Sequence, residues 1–247
     1  MIKTDKEILK FQKECFANYI DDIRKAVQEI PNPYVYPDGN PIRPVIPVKT
    51  IQNSIMLIGA FPSARFEKRN NVLIPTGDNL SPFGQEEYFD SSEVRTQASR
   101  NSLDKKYFPQ LNIDTNNIWI TDIVKVYLFP DKHIKNCELI SPKMRFVNTH
   151  KLFSKIAYAS MGWMKEEIKI CNPKLIITLG EVPARTISGD KKTSTKKLLN
   201  GQVRDLQLDK KYRIAHLGHP EIRRRNKEWD TLTEQAIKEL AKEINRL

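Results

Sequence analysis

Four short apolar runs, each broken off by glycine, proline, aspartate or histidine, constrain this chain more than any other feature. Residues 54–58 precede Gly59-Ala60-Phe61-Pro62-Ser63-Ala64, and residues 117–120 precede Thr121-Asp122. Residues 174–179 precede Gly180-Glu181, and residues 212–215 precede His216-Leu217-Gly218-His219-Pro220. Such runs show no polar alternation, which suits strands buried on both faces of a parallel sheet. In open α/β sheets ligands bind beyond the carboxyl ends of the strands. Four strand ends with unusual residues therefore predict one shared site.

The segments between the runs predict helices. Thr4 can cap a helix to about Gln28, with Ile8, Phe11, Cys15, Tyr19, Ile23 and Val27 on one stripe. Residues 31–48 hold Pro31, Pro33, Pro37, Pro41, Pro44 and Pro47, an extended connector expected to pack across the surface. Residues 60–92 read as a long polar loop, and loops of that length are usually functional or mobile. A helix is expected over 86–103, and a long helix or two helices starting at Ser141-Pro142 and reaching Ile170, with serine at the cap and proline in the first turn. Gly180–Ser188 reads as a helix ended by Gly189, and residues 190–201 as a basic loop. A last helix from Thr231 carries Leu232, Ala236, Ile237, Leu240, Ile244 and Leu247. Together these predict a three-layer α/β/α fold around a four-stranded parallel sheet, with the first and third strands at its centre. One domain over 1–247 is expected: helix and connector in 1–50, core in 51–225, and C-terminal helix in 226–247.

Charge narrows the partners. The 247 residues include 41 Lys plus Arg against 30 Asp plus Glu, a formal charge of +11. That excess suits a polyanion, nucleic acid before an anionic membrane. The three cysteines Cys15, Cys137 and Cys171 are far apart and predict a reducing compartment rather than a disulfide scaffold. The first residues are charged, unlike a signal peptide, and no apolar stretch approaches the roughly 18 residues that span a bilayer. A soluble, cytoplasmic, monomeric protein without membrane attachment is the expectation.

Gly59-x-x-Pro62-Ser63-Ala64, Thr121-Asp122-Ile123-Val124-Lys125, Asn172-Pro173 through Gly180, and His219-Pro220 together resemble the uracil-DNA glycosylase superfamily. Order and spacing agree from about residue 54 to 225. The first segment, with Thr76-Gly77-Asp78, is similar to the branch reading Gly-x-Ala-Pro-Ala then Thr-Gly-Asp. The second and third strands are more similar to the thermophile-type branch that carries an iron–sulfur cluster. The resemblance implies excision of a damaged or deaminated base from DNA after the base is turned out of the stack.

Glycosidic cleavage builds positive charge on the sugar and negative charge on the base, so a carboxylate and a donor are needed. By resemblance Asp78 is the candidate carboxylate and His219 the donor. Phe83 would stack on the base, Ala60 and Phe61 would line the pocket with backbone amides, and Asp122 takes the base-reading position. Ile222 holds the place of an apolar wedge. Ser63, Arg65, Lys125, Arg223, Arg224 and Arg225 are the candidate DNA contacts. His133, His150 and His216 read as structural or exposed, because no metal-ligand spacing joins them.

This chain departs from the family pattern at three places. Ala60 follows Gly59, where several branches place a carboxylate or another polar group. Asp122 stands where the uracil-reading Asn is found. An ionised Asp only accepts and would repel uracil O4, while it suits an exocyclic amine; protonated by burial, it imitates Asn. Cluster-bearing relatives use four cysteines, and Val126 replaces the usual Cys on the second strand, so neither metal nor cofactor is expected. Two other functions stay open: a nucleic-acid-binding relative without catalysis, and an enzyme of small nucleotide-like substrates.

Overall fold

The computed structural model describes residues 3–246. Thr4, named above as a cap, and Leu247, named in the last helix, have side chains outside the described residues. The strands are β1 (Ile55–Gly59), β2 (Ala64–Arg69), β3 (Val72–Asp78), β4 (Glu87–Phe89), β5 (Val94–Thr96), β6 (Ile118–Asp122), β7 (Leu175–Leu179), β8 (Arg204–Gln207) and β9 (Lys211–Leu217). The α-helices are α1 (Lys3–Ala26), α2 (Ala98–Lys106), α3 (Phe108–Leu111), α4 (Asp131–Ile140), α5 (Phe153–Ala159), α6 (Met161–Cys171), α7 (Glu181–Ser188), α8 (Thr195–Leu198), α9 (Pro220–Arg225) and α10 (Lys227–Ile244).

The central sheet has the order β6-β1-β7-β9-β8, with β1 and β7 side by side as expected. Its first four strands run parallel, and β8 adds an antiparallel fifth at the edge. The short, polar Arg204–Gln207 segment hides this strand in the sequence. The four apolar runs lack alternation because each face of the sheet has its own core. Met56, Ile58, Trp119, Ile176 and Ile214 pack toward α1, α5 and α6. Leu57, Ile120, Ile177, Leu179 and Ala215 pack on the other side with Leu103, Leu111 and Ile237 of α2, α3 and α10. Helices covering both faces give the three layers.

The helix α1 buries Phe11, Cys15, Tyr19 and Ile23, the predicted stripe. The proline-rich connector lies across the fold, pinned where the Tyr34 hydroxyl donates to Tyr127 O at 2.6 Å.

Four local expectations fail for identifiable reasons. The segment 60–92 is not an open loop: β2 and β3 form a hairpin, closed by Asn70 and Asn71 at φ 46° and 61°. Two positive-φ residues make the tight turn that suits the twist of a hairpin. The helix expected over 86–103 starts only at Ala98, and the β4–β5 hairpin precedes it. There buried Asp90 accepts from Ser92 N at 3.0 Å, Glu93 N at 2.9 Å and Arg95 Nε at 2.7 Å. Side chain to backbone bonds of this kind displace a helix. Ser141 ends α4 rather than starting a helix, and its hydroxyl donates to Pro37 O at 3.0 Å. The last helix begins four residues earlier than expected, at Lys227, because the Asn226 side chain accepts from Trp229 N at 3.1 Å and caps it.

Candidate active site

A cleft of about 760 Å³ opens at the carboxyl ends of β1, β6 and β7 and beside the start of α9. Parallel pairing of β1 with β6 sets Gly59 beside Asp122, the last residues of the two strands. A Cβ on Gly59 would lie 2.1 Å from Asp122 Oδ1 and 2.3 Å from the Phe83 ring. The missing side chain therefore lets the acid and the ring meet over the strand end. Phe83 sits in a turn at φ 48°. Buried Arg100 holds that turn, donating to Phe83 O at 3.1 Å and pairing with Asp104 at 2.9 Å.

Asp122 is 2% exposed and lines the cleft. Its Oδ1 has no hydrogen-bond partner among the described residues. Burial pushes its carboxyl up to about 7, with Lys125 pulling the other way and Glu167 adding to the rise. A buried carboxylate oxygen without a hydrogen bond is costly, which favours the protonated acid or a ligand that supplies the missing bond.

Lys125 lies beneath Asp122, and the expectation that it meets DNA does not hold. It is fully buried, and its Nζ donates to Glu167 Oε2 and Thr121 Oγ1, each at 2.5 Å, and to Asp122 O at 2.7 Å. Glu167 Oε1 accepts from the Trp119 indole at 2.7 Å. A lysine with a carboxylate and two further acceptors has no bond left for a phosphate.

His219 is the N-cap of α9, its Nδ1 accepting from Glu221 N at 3.2 Å. With Nδ1 an acceptor, the proton of the neutral ring sits on Nε2. Burial lowers the ring to about 4, so it stays neutral at pH 7. The ring stands 6.2 Å from that of Phe83, centroid to centroid. His219 is thus a donor through Nε2 alone.

Asp78 is not in the cleft. Its Oδ1 accepts from the Tyr36 hydroxyl at 2.7 Å, and its Oδ2 from Arg43 N at 3.2 Å. These bonds tie the proline-rich connector to β3. Arg65 lies beside Asp78 in the same hairpin and also stays out of the cleft. The cleft is lined instead by the next residue, Asn79, 8% exposed with an unpartnered Oδ1. Asn79 carries no sequence signal beyond its place after Thr76-Gly77-Asp78.

Other expected positions divide between rim and core. Ala60, Phe61, Ser63, Arg224 and Arg225 line the cleft. Ile222 is exposed on α9 outside the lining. Arg223 is a correction: it is buried, paired with Asp230 at 2.7 Å and Glu234 at 2.9 Å, and lies over the Tyr107 ring. It fastens α9 to α10 and offers nothing to a phosphate. The three cysteines are free and buried.

A mostly parallel sheet between helix layers, with a neutral histidine, a buried acid and an aromatic ring around a cleft at its strand ends, defines a three-layer α/β protein. The family model described as Uracil DNA glycosylase superfamily matches residues 48–244, and the chain belongs to that superfamily. Its members act on DNA. No match is found among curated proteins. No helix among the described residues is long and apolar enough to cross a membrane.

Proposed function

We propose that the protein hydrolyses the N-glycosidic bond of a damaged or deaminated base in DNA. The observation that carries this reading is the convergence of Phe83, His219 and the buried, incompletely hydrogen-bonded Asp122 on one cleft. A base entering the cleft stacks on Phe83. As the bond from C1′ to the base nitrogen breaks, its electrons pass to the base. His219 Nε2–H donates to the base carbonyl on which that charge collects, an oxyanion-type stabilisation. The side-chain amide of Asn79, in the cleft wall, holds the attacking water and aims its oxygen at C1′. The new C1′–O bond completes the hydrolysis, and the water's proton neutralises the departing base. Arg224 and Arg225 at the rim meet phosphates.

Asp122 selects the base. Protonated, it offers one donor and one acceptor to O4 and N3–H of uracil. Ionised, it accepts only, and favours a base with an exocyclic amine. Its carboxyl, pushed up to about 7, makes that choice depend on pH near neutrality.

Single-turnover excision tests the reading, on single- and double-stranded oligonucleotides carrying uracil, hypoxanthine, xanthine or 5-substituted uracils. Excision of one of these, slowed strongly in His219→Ala and less in Asn79→Ala, is expected. Salt-sensitive DNA binding with no excision of any base would favour binding without catalysis. One observation favours that second reading: Ala60 follows Gly59 and Asp78 lies outside the cleft, so neither expected position supplies a carboxylate.

A further inference from the structure

The cleft is far larger than one base, and the part away from Asp122 has its own construction. Phe61, directly after the β1 strand end, packs edge-on to Phe153 at 5.1 Å and to His150 at 5.4 Å between ring centroids. Phe61 and Phe153 are half-buried and His150 is exposed, and all three line the cleft. The two phenylalanines rest on the main core cluster, which holds them from behind. The turn carrying His150 is fixed by its neighbour: Thr149 Oγ1 accepts from Phe129 N at 2.8 Å, and His150 N donates to Phe129 O at 3.1 Å. The two phenylalanine rings and the backbone that carries His150 are therefore held in place before any ligand arrives.

The charges around this platform suit a polyanion. Lys132 and Arg224 line the cleft and make no ion pair among the described residues. The two glutamates of the lining are occupied. Glu181 accepts from Arg185 and Thr195, each at 2.8 Å, and Glu221 pairs with Arg225 at 2.7 Å. Aromatic rings in a groove with free cations are the means by which single strands are held, because every base has a face to stack.

We propose that Phe61, His150 and Phe153 form a second base subsite, which stacks the base adjacent to the everted one in unpaired DNA. This rests on the glycosylase reading only for the identity of the first base. In a duplex the neighbour of an everted base stays paired and stacked in the helix. Filling both subsites therefore needs an unpaired strand, and the protein favours single-stranded over duplex substrate.

The test is binding, separate from excision. Two single-stranded oligonucleotides carry a tetrahydrofuran abasic analogue with 2-aminopurine on its 5′ or 3′ side. Stacking on the platform quenches 2-aminopurine on one side, and a probe several nucleotides away stays bright. The double variant His150→Ala, Phe153→Leu leaves Asp122, Phe83 and His219 untouched. It should weaken binding of the quenched oligonucleotide about 5- to 150-fold, the value of one stacked base. Binding of an oligonucleotide abasic on both flanks should not change. Equal weakening on that control, or an unquenched probe on both sides with wild-type protein, would overturn the proposal whether or not the variant folds. Quenching with no excision of any base would leave the second subsite standing and remove the glycosylase reading. Failure to bind DNA would remove both.

Discussion

Asp78 and Asp122 each end a strand, each is withdrawn from solvent, and burial raises the carboxyl of each. Their surroundings differ in one respect. Both oxygens of Asp78 accept a hydrogen bond, from Tyr36 and from Arg43, on a segment that straps the fold. Asp122 lines a cleft beside Phe83 and His219, and its buried Oδ1 has no partner among the described residues. Burial and a shifted carboxyl therefore do not distinguish an acid in a cleft wall from one that only ties segments together. Unfilled hydrogen-bonding capacity at a residue that lines the cleft does.

The largest expected effect lies under Asp122. Lys125→Met should cost about 3–5 kcal/mol, because it strands the buried Glu167 carboxylate. Adding Glu167→Gln should recover part of that loss, measured as urea midpoints of the three proteins. Next comes His219→Ala, expected to slow excision about 100- to 1,000-fold, the range for removing one oxyanion donor. Its stability should fall by only about 1 kcal/mol, for the lost cap.

Asp122 itself should reveal its titration. Deprotonation rises through about 7, so uracil excision by wild type should fall above that pH, while Asp122→Asn should give a flat profile there. The stability sign follows from the same shift. The folded carboxyl lies above its unfolded value, so between the two values the unfolded state holds fewer protons. Wild type then loses stability as pH rises toward 7, and Asp122→Asn should gain on it over that window in thermal melts.

The smallest effect belongs to the other acid. Tyr36→Phe removes a bond to Asp78 and should cost about 1 kcal/mol while leaving excision within about threefold. If Asp78→Asn abolished excision while Asp122→Asn did not, the roles assigned to the two acids would be reversed.

The sequence reveals the sheet and not the hairpins, for physical reasons. Residues 54–58 and 174–179 lie between two cores, so their apolar character has no competing explanation. The strand β2 is half-buried and rich in Arg, Lys and Glu, β4 is only three residues with two of them exposed, and what makes them strands is turn chemistry at Asn70-Asn71 and Asp90. The candidate site follows the same division. His219, Phe83, Asp122 and Ala60 stand at or beside sheet ends and are legible. Lys125 and Arg223 mislead because a basic residue in a motif reads as a phosphate contact, while Glu167, Asp230 and Glu234, which claim them, lie far off or on another helix. Asn79 and the His150 platform depend on how loops fold over the cleft, which no spacing in the chain encodes.

Two glycines that look alike in the sequence should have opposite fates under random replacement. Around Gly77 a Cβ would meet nothing within 4 Å, so a saturation library there should return many residues. At Gly59 even alanine would drive a carbon into Asp122 and Phe83. A library at that codon, selected for excision, should return glycine alone. Intolerance to replacement would then locate the floor of the site by genetics, without any ligand in hand.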